Sequence, residues 1–207
     1  MTDKPQNRSR QWPTPRPPLT VRGRATVADE GGFTPVGERQ AWQGRVVSLS
    51  VAEIKAPDGS IYEREIIRHP GVAVIVPLDG EEVIMIRQYR AAVNRELLEI
   101  PAGKLDSQDE PPEFTARREL EEEIGKQAGH LELLAVFHNS PGFCDEVTHC
   151  YLATELADTN RHPHGIEEEH MAIERIKLAD VPDLVASGEL ADAKSIVGLM
   201  LARERLG

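Results

Sequence analysis

Apolar positions along the chain change period several times, and each change marks a predicted element. From Trp42 the pattern is that of β-structure. GRVVSLSVAEI (44–54) and IYEREIIRH (61–69) are rich in β-branched residues and alternate in part. Ala56-Pro57-Asp58-Gly59-Ser60 between them is a turn signal, so the pair predicts a hairpin. GVAVIVPL (71–78) is a continuous apolar run, as expected of a strand covered on both faces. After an Asp79-Gly80 turn, EVIMIRQYR (82–90) predicts a strand whose far end turns polar, and LLEIPAG (97–103) a short strand entering a loop. EFTARRELEEEIG (113–125) then switches to helical spacing, with Phe114, Ala116 or Arg117, Leu120 and Ile124 as its apolar stripe. Pro111 and Pro112 suit the first helical positions, and Gly125 suits the stop. LELLAVFH (131–138), VTHCYLATEL (147–156) and MAIERIKL (171–178) predict strands, with a polar loop, ADTNRHPHGIEEEH (157–170), before the last. A short helix around 180–187 and an amphipathic helix over 192–206 close the pattern. Mixed strands with two or three helices, one of them central, predict an α/β layered domain.

Composition adds a boundary at the front. Residues 1–20 hold five prolines and four basic residues but few apolar groups, so the reading is a mobile basic, Pro-rich arm over 1–41. A small antiparallel segment over 42–70 and the main domain over 71–207 follow. The formal net charge is −11, and it is uneven: residues 1–24 carry six basic side chains and one acidic, the remainder 18 basic and 34 acidic. A body that acidic lacks the footprint nucleic acid requires. Cys144 and Cys150 have neither CxxC spacing nor enough company for a disulfide framework. No run approaches the roughly 18 apolar residues of a membrane span, and no signal peptide is visible. The expectation is a cytoplasmic protein that does not bind membranes.

The chemistry concentrates between Gly103 and Gly125. Glu119, Glu122 and Glu123 stand at i, i+3 and i+4, which puts three carboxylates on one helix face. Alone, such a run reads as a solvated acidic face. Brought close together, the three repel unless raised pKa values or cations relieve them, and their oxygens suit Mg²⁺ or Mn²⁺. Elsewhere, His130, His138, His149, His162, His164 and His170 form no HxH or HExxH arrangement, SPGF lacks the partners of a serine hydrolase, and Gly31-Gly32 lacks the Lys and Ser or Thr of a phosphate loop.

The flanking spacing resembles the Nudix box: Gly, five residues, Glu, seven residues, Arg-Glu-aliphatic-x-Glu-Glu-x-Gly-aliphatic. Here it stands as Gly103, six residues, Glu110, seven residues, then Arg118-Glu119-Leu120-Glu121-Glu122-Glu123-Ile124-Gly125-Lys126. The loop is one residue longer, and Lys126 replaces the closing aliphatic residue; neither departure removes a carboxylate. The resemblance implies an α/β/α sandwich with a mixed sheet, preceded by a small antiparallel sheet through which a homodimer forms, with exchange of the segment between copies. It implies two to three Mg²⁺ or Mn²⁺ ions held by Glu119, Glu122, Glu123 and the Ala102 carbonyl, with Arg118 and Glu110 pairing to brace the loop.

LLEIPAGKL, the arginine ending RQYR (Arg90) and a proline sixteen residues beyond Gly125 (Pro141) look like the ADP-ribose pyrophosphatase branch. That likeness implies hydrolysis of ADP-ribose to AMP and ribose 5-phosphate, with Arg90, Arg68 and Pro141 on the substrate. A glutamate of the Glu167-Glu168-Glu169 triplet would act as base, Glu167 or Glu169 being favoured over Glu168, with Glu122 as a further catalytic candidate. Loop 157–170 would close over the substrate. Another nucleoside diphosphate sugar such as GDP-mannose, or a dinucleotide, is the alternative substrate. A non-catalytic Nudix-like sensor is the alternative of a different class; it predicts a degraded acidic cluster, whereas all three helix carboxylates are present.

Overall fold

The computed structural model describes residues 32–106 and 110–207. The first 31 residues, which hold most of the predicted arm, lie outside the described set. Two sheets organise the rest. The smaller is antiparallel, in the order β1 (Thr34–Gln43), β2 (Ser48–Lys55), β3 (Ile61–Arg68). The β2–β3 hairpin turns as predicted: Asp58 Oδ1 accepts from the Ser60 N–H at 2.9 Å, and Gly59 takes a φ of 86°. Strand β1 starts eight residues ahead of the predicted β pattern, inside the segment read as arm. Most of its residues are exposed on both faces, so no alternation announces it; backbone pairing with β2 is what orders it.

The larger sheet runs β10 (Ala172–Lys177), β5 (Glu82–Arg90), β4 (Val72–Asp79), β9 (Val147–Asp158), β8 (Lys126–His138), with β6 (Arg95–Glu99) on β5 and β7 (Ala102–Lys104) on β4. β4 and β9 are parallel and every other pair is antiparallel, so the sheet is mixed. β8 begins at Lys126, directly after the helix, and not at the predicted Leu131. KQAGH carries no alternation, but the matching length of β9 draws it into pairing, and Lys126 forms an ion pair with Asp158.

The apolar run of β4 explains the layering. Ala73 and Ile75 face one side with Ala116, Leu120 and Ile124 of α1 (Pro112–Ile124). Val74 and Val76 face the other, with Val181 of α3 (Val181–Ser187) and Leu199 and Ala202 of α4 (Ala193–Leu206). Alternate residues of one strand therefore feed two cores, an α/β/α sandwich. Phe114, predicted for the buried stripe, is 65% exposed; the sheet-facing side of α1 is set by Thr115, Ala116, Glu119, Leu120 and Glu123. The polar loop also contains structure that the sequence reading lacks, a short helix α2 (Ile166–His170).

One departure from regular pairing positions the site. β4 and β5 pair only at their turn, Leu78 with Val83 and Asp79 with Glu82. Beyond it they part, and β6 and β7 fill the gap. The switch occurs at Ile100-Pro101. Pro101 has no N–H to donate, yet its carbonyl accepts from the Ile75 N–H at 2.9 Å. The Ile100 N–H is satisfied by Ser195 Oγ of α4 at 2.9 Å. The wedge thereby opens at Ala102 and Gly103, opposite α1. Replacing the fully buried Leu120 by alanine is expected to cost about 2–5 kcal/mol of stability, whereas Phe114→Ala stays within about 0.5 kcal/mol; urea unfolding of the two variants checks the contrast.

Candidate active site

Helix α1 is fixed to the sheet by Ala116, Leu120 and Ile124, and Gly125 ends it at a φ of 63°, donating to Glu121 O and Leu120 O. With the apolar face so fixed, the adjacent face turns Glu119 and Glu123 towards β7. They are 7% and 3% exposed. Glu123 Oε2 accepts from the Ala102 N–H at 3.0 Å. Glu119 lies against Gly103 so closely that a Cβ there would fall 1.8 Å from its Oε1. A side chain at this position would therefore displace the Glu119 carboxylate. Glu122, one step round the helix, is partly exposed, and its Oε1 stands 3.2 Å from His164 Nδ1.

Arg118 braces this cluster from outside. It donates to Glu119 Oε1 at 3.0 Å and to the Lys104 carbonyl at 3.3 Å, and it pairs with Asp106. Glu110, the partner implied by resemblance, forms an ion pair with Arg118 at 3.9 Å and also accepts from the Asp106 N–H at 2.9 Å. The loop and helix are thus tied through Asp106, which the sequence reading overlooked.

The opposite wall is cationic. Arg90, 35% exposed at its side chain, is no ordinary surface charge: its Nε donates to Glu99 Oε1 at 2.8 Å and its Nη2 to Oε2. Glu99 is almost fully buried and also accepts from Gln88. The only forewarning of Glu99 in the sequence was its position in LLEIPAG.

A cleft of about 190 Å³ lies between these walls, lined by Gln88, Arg90, Ala102, Glu123 and residues 164–168. Burial, the largest cause, pushes the carboxyls of both Glu119 and Glu123 above the ordinary value of 4.5. Glu168 raises both further, and Glu119 also raises Glu123. Arg118 pulls Glu119 back; the Ala102 N–H and Arg90 pull Glu123 back. The upward push prevails at both, so keeping this face ionised is costly without a cation. Hard oxygen donors in that condition suit a divalent cation. Among the described residues no three His, Cys, Asp or Glu side chains already close on one point. The arrangement is an open donor set, which water and ligand oxygens would have to complete.

The triplet divides. Glu168 is half-buried and acts on both helix carboxylates; Glu167 lines the cleft but is exposed; Glu169 is exposed and not part of the lining. The sequence favours Glu167 or Glu169 without a register for the loop; the register comes from the single helical turn of α2, which sets the three side chains about 100° apart. Arg68 and Pro141 are not brought to this cleft. They line a second one of about 310 Å³, where the loop at 141–145 meets β3. Arg68 is occupied there by Glu38 and Asp145, at 2.7 and 2.9 Å. His164, passed over for want of a spacing motif, lines the first cleft.

Comparison with known proteins matches this chain to a family. A family model described as the NUDIX domain covers residues 67–197. The ADP-ribose pyrophosphatase of Bacillus subtilis (strain 168) is 41% identical over 161 residues, 77% of this chain and 86% of that protein. The methanol dehydrogenase activator of Bacillus methanolicus is 35% identical over the same shares of each chain. The crystal structure of an ADP compounds hydrolase superposes with a TM-score of 0.73 at 23% identity, covering 84% of this chain and 94% of that one, a likeness of fold.

Two measurements probe the carboxylate face. Gly103→Ala forces the Glu119 carboxylate aside and is expected to weaken Mn²⁺ binding at least about tenfold, roughly 1.4 kcal/mol, by calorimetry. Glu123→Gln removes a carboxyl whose raised folded-state pKa makes its ionisation costly to the native state. The metal-free variant should therefore melt above the parent at pH 8, and the gap should close as the pH falls below the ordinary carboxyl value of 4.5, where the parent carboxyl becomes protonated folded and unfolded alike.

Proposed function

The chain belongs to the Nudix family, and on that premise we propose that it hydrolyses the diphosphate linkage of ADP-ribose, adding water across the P–O–P bond to give AMP and ribose 5-phosphate. The observation that carries this is the pairing, across one small cleft, of a buried carboxylate face with a guanidinium held in place by a buried glutamate. A diphosphate presents negative oxygens that need cations on both sides, and this cleft supplies one wall for metal-bound oxygens and one for direct hydrogen bonds. The 41% identical relative supports ADP-ribose as the compound.

Glu119 and Glu123 would be the principal holders of the metal, with Glu122 and the Ala102 carbonyl as further donors; Mg²⁺ or Mn²⁺, two to three ions, is the proposed complement. Bound divalent cations supply neutralisation of the diphosphate and acidification of an attacking water. The remaining roles fall to the chain itself. The apolar anchoring of α1 holds the donors rigid, so little reorganisation accompanies reaction. Glu99 engages Nε and Nη2 of Arg90, which orients the Nη1 donors for a non-bridging phosphate oxygen. Glu168 accepts the proton from the attacking water, because it is the member of the triplet that acts on both helix carboxylates.

The second part of the proposal is a homodimer formed through the three-stranded sheet, on which Val36, Trp42 and Ile61 are exposed, with Phe33 exposed just ahead of β1. No helix among the described residues is long and apolar enough to cross a membrane; a cytoplasmic setting remains part of the proposal.

A panel of ADP-ribose, GDP-mannose and a dinucleoside diphosphate, each with Mg²⁺, Mn²⁺ or chelator, tests the substrate. Fastest turnover on ADP-ribose and none with chelator is expected; preference for GDP-mannose would shift the assignment. Among Glu167→Gln, Glu168→Gln and Glu169→Gln, only the second should lose about 10²–10⁴-fold in kcat.

A further inference from the structure

The loop that carries Glu168 is rooted on the same helix that carries Glu119 and Glu123. At the root, the Thr159 N–H donates to the carbonyl of Gly125, the stop residue of α1, at 2.9 Å. Arg161 packs on that stop: a Cβ on Gly125 would come 3.4 Å from the Arg161 Cβ and backbone nitrogen, and 3.0 Å from the Thr159 carbonyl. From there Arg161 reaches back across the loop, and its Nη2 donates to the backbone carbonyl of Glu168 at 2.6 Å. Its Nε is buried without a hydrogen-bond partner. Within the loop, the His164 N–H donates to Glu168 Oε2 at 2.6 Å, and the Glu169 N–H closes the single turn of α2 onto Gly165 O at 3.1 Å.

Taking Glu168 as the proton acceptor proposed above, we infer that Arg161 is a positioning residue for it. Arg161 transmits the fixed place of the α1 terminus to the Glu168 backbone, so that proton acceptor and metal-binding carboxylates are referenced to one helix. The physical need is plain. Residues 160–167 contribute almost nothing to either core, and holding each backbone in one conformation costs about 1–2 kcal/mol. A five-residue helix cannot sustain itself. A misplacement of about 1 Å at a reacting group costs on the order of 100-fold in rate. Arg161 is not among the residues that line the cleft, and its one hydrogen bond goes to the Glu168 backbone, so its effect is expected on turnover and not on substrate affinity. Only one of its donors is engaged in the tether, so a lysine, with one donating centre on a long stem, can substitute for it.

The test uses the full chain at saturating Mg²⁺ with ADP-ribose, comparing Arg161→Met, Arg161→Lys, Glu168→Gln and the double variant Arg161→Met/Glu168→Gln. Expected are a kcat at least tenfold lower in Arg161→Met, with KM and Mn²⁺ affinity within twofold of the parent, and recovery of most of that loss in Arg161→Lys. The double variant should be no slower than Glu168→Gln alone, because a tether has nothing to position once the acceptor is gone. With Glu168→Gln impaired, parental kcat in Arg161→Met, a raised KM with kcat intact, or multiplicative losses in the double variant would overturn the role of Arg161 and leave the proton acceptor standing. Parental kcat in Glu168→Gln would remove the acceptor and, with it, the tether's function.

Discussion

Two carboxylates buried side by side, Glu119 and Glu123, are the constraint around which the rest of the structure is arranged. Ionised, they repel each other in a place where water cannot screen them well. The apolar face of α1 leaves them no retreat, since Ala116, Leu120 and Ile124 pin the helix to β4 and its neighbours. The missing Cβ of Gly103 gives Glu119 its space, and the Ala102 N–H gives Glu123 a partner. Both depend on the parting of β4 and β5, which Pro101 and Ser195 make possible by settling the backbone hydrogen bonds where regular pairing stops.

Charge balance then explains the second layer of residues. Arg118 offsets part of the burden on Glu119 from the loop side, and Arg90 part of that on Glu123 from the strand side. Neither offsets the upward push in full. Arg90 is itself committed to Glu99, and Arg118 is shared with Asp106, Glu122 and the Lys104 carbonyl. What is left over is a demand for divalent cations on one side of the cleft and for a polyanion between its walls, which is the physical content of a diphosphate hydrolase.

The two free cysteines illustrate how composition and structure divide the work. Cys150 sits in the core beneath α4, its thiol pushed up to about 12 by burial, and acts as a small apolar group. Cys144 lies in the loop that carries β3 against the main domain, where Ile67 N–H donates to Phe143 O and Asp145 N–H to Ile67 O.

The sequence by itself determined whatever depends on local period. The i, i+3, i+4 spacing of Glu119, Glu122 and Glu123 fixes their common face wherever the helix sits, and the unbroken apolar run of 71–78 requires cover on both sides. The Gly103-to-Gly125 spacing resembles a known family for the same reason, because loop and helix are contiguous. Tertiary structure decided the rest. Phe114 shares the apolar character of Leu120, but helix rotation against the sheet leaves it outside. Arg68 and Arg90 both end strands, yet only Arg90 meets the cleft, because β5 borders the wedge and β3 belongs to the other sheet. Among three consecutive glutamates, Glu168 is the half-buried one beside the helix carboxylates, where one turn of helix and a hydrogen bond from Arg161 to its backbone hold it. Contacts between segments dozens of residues apart depend on how layers pack and where strands part, and no local period encodes that.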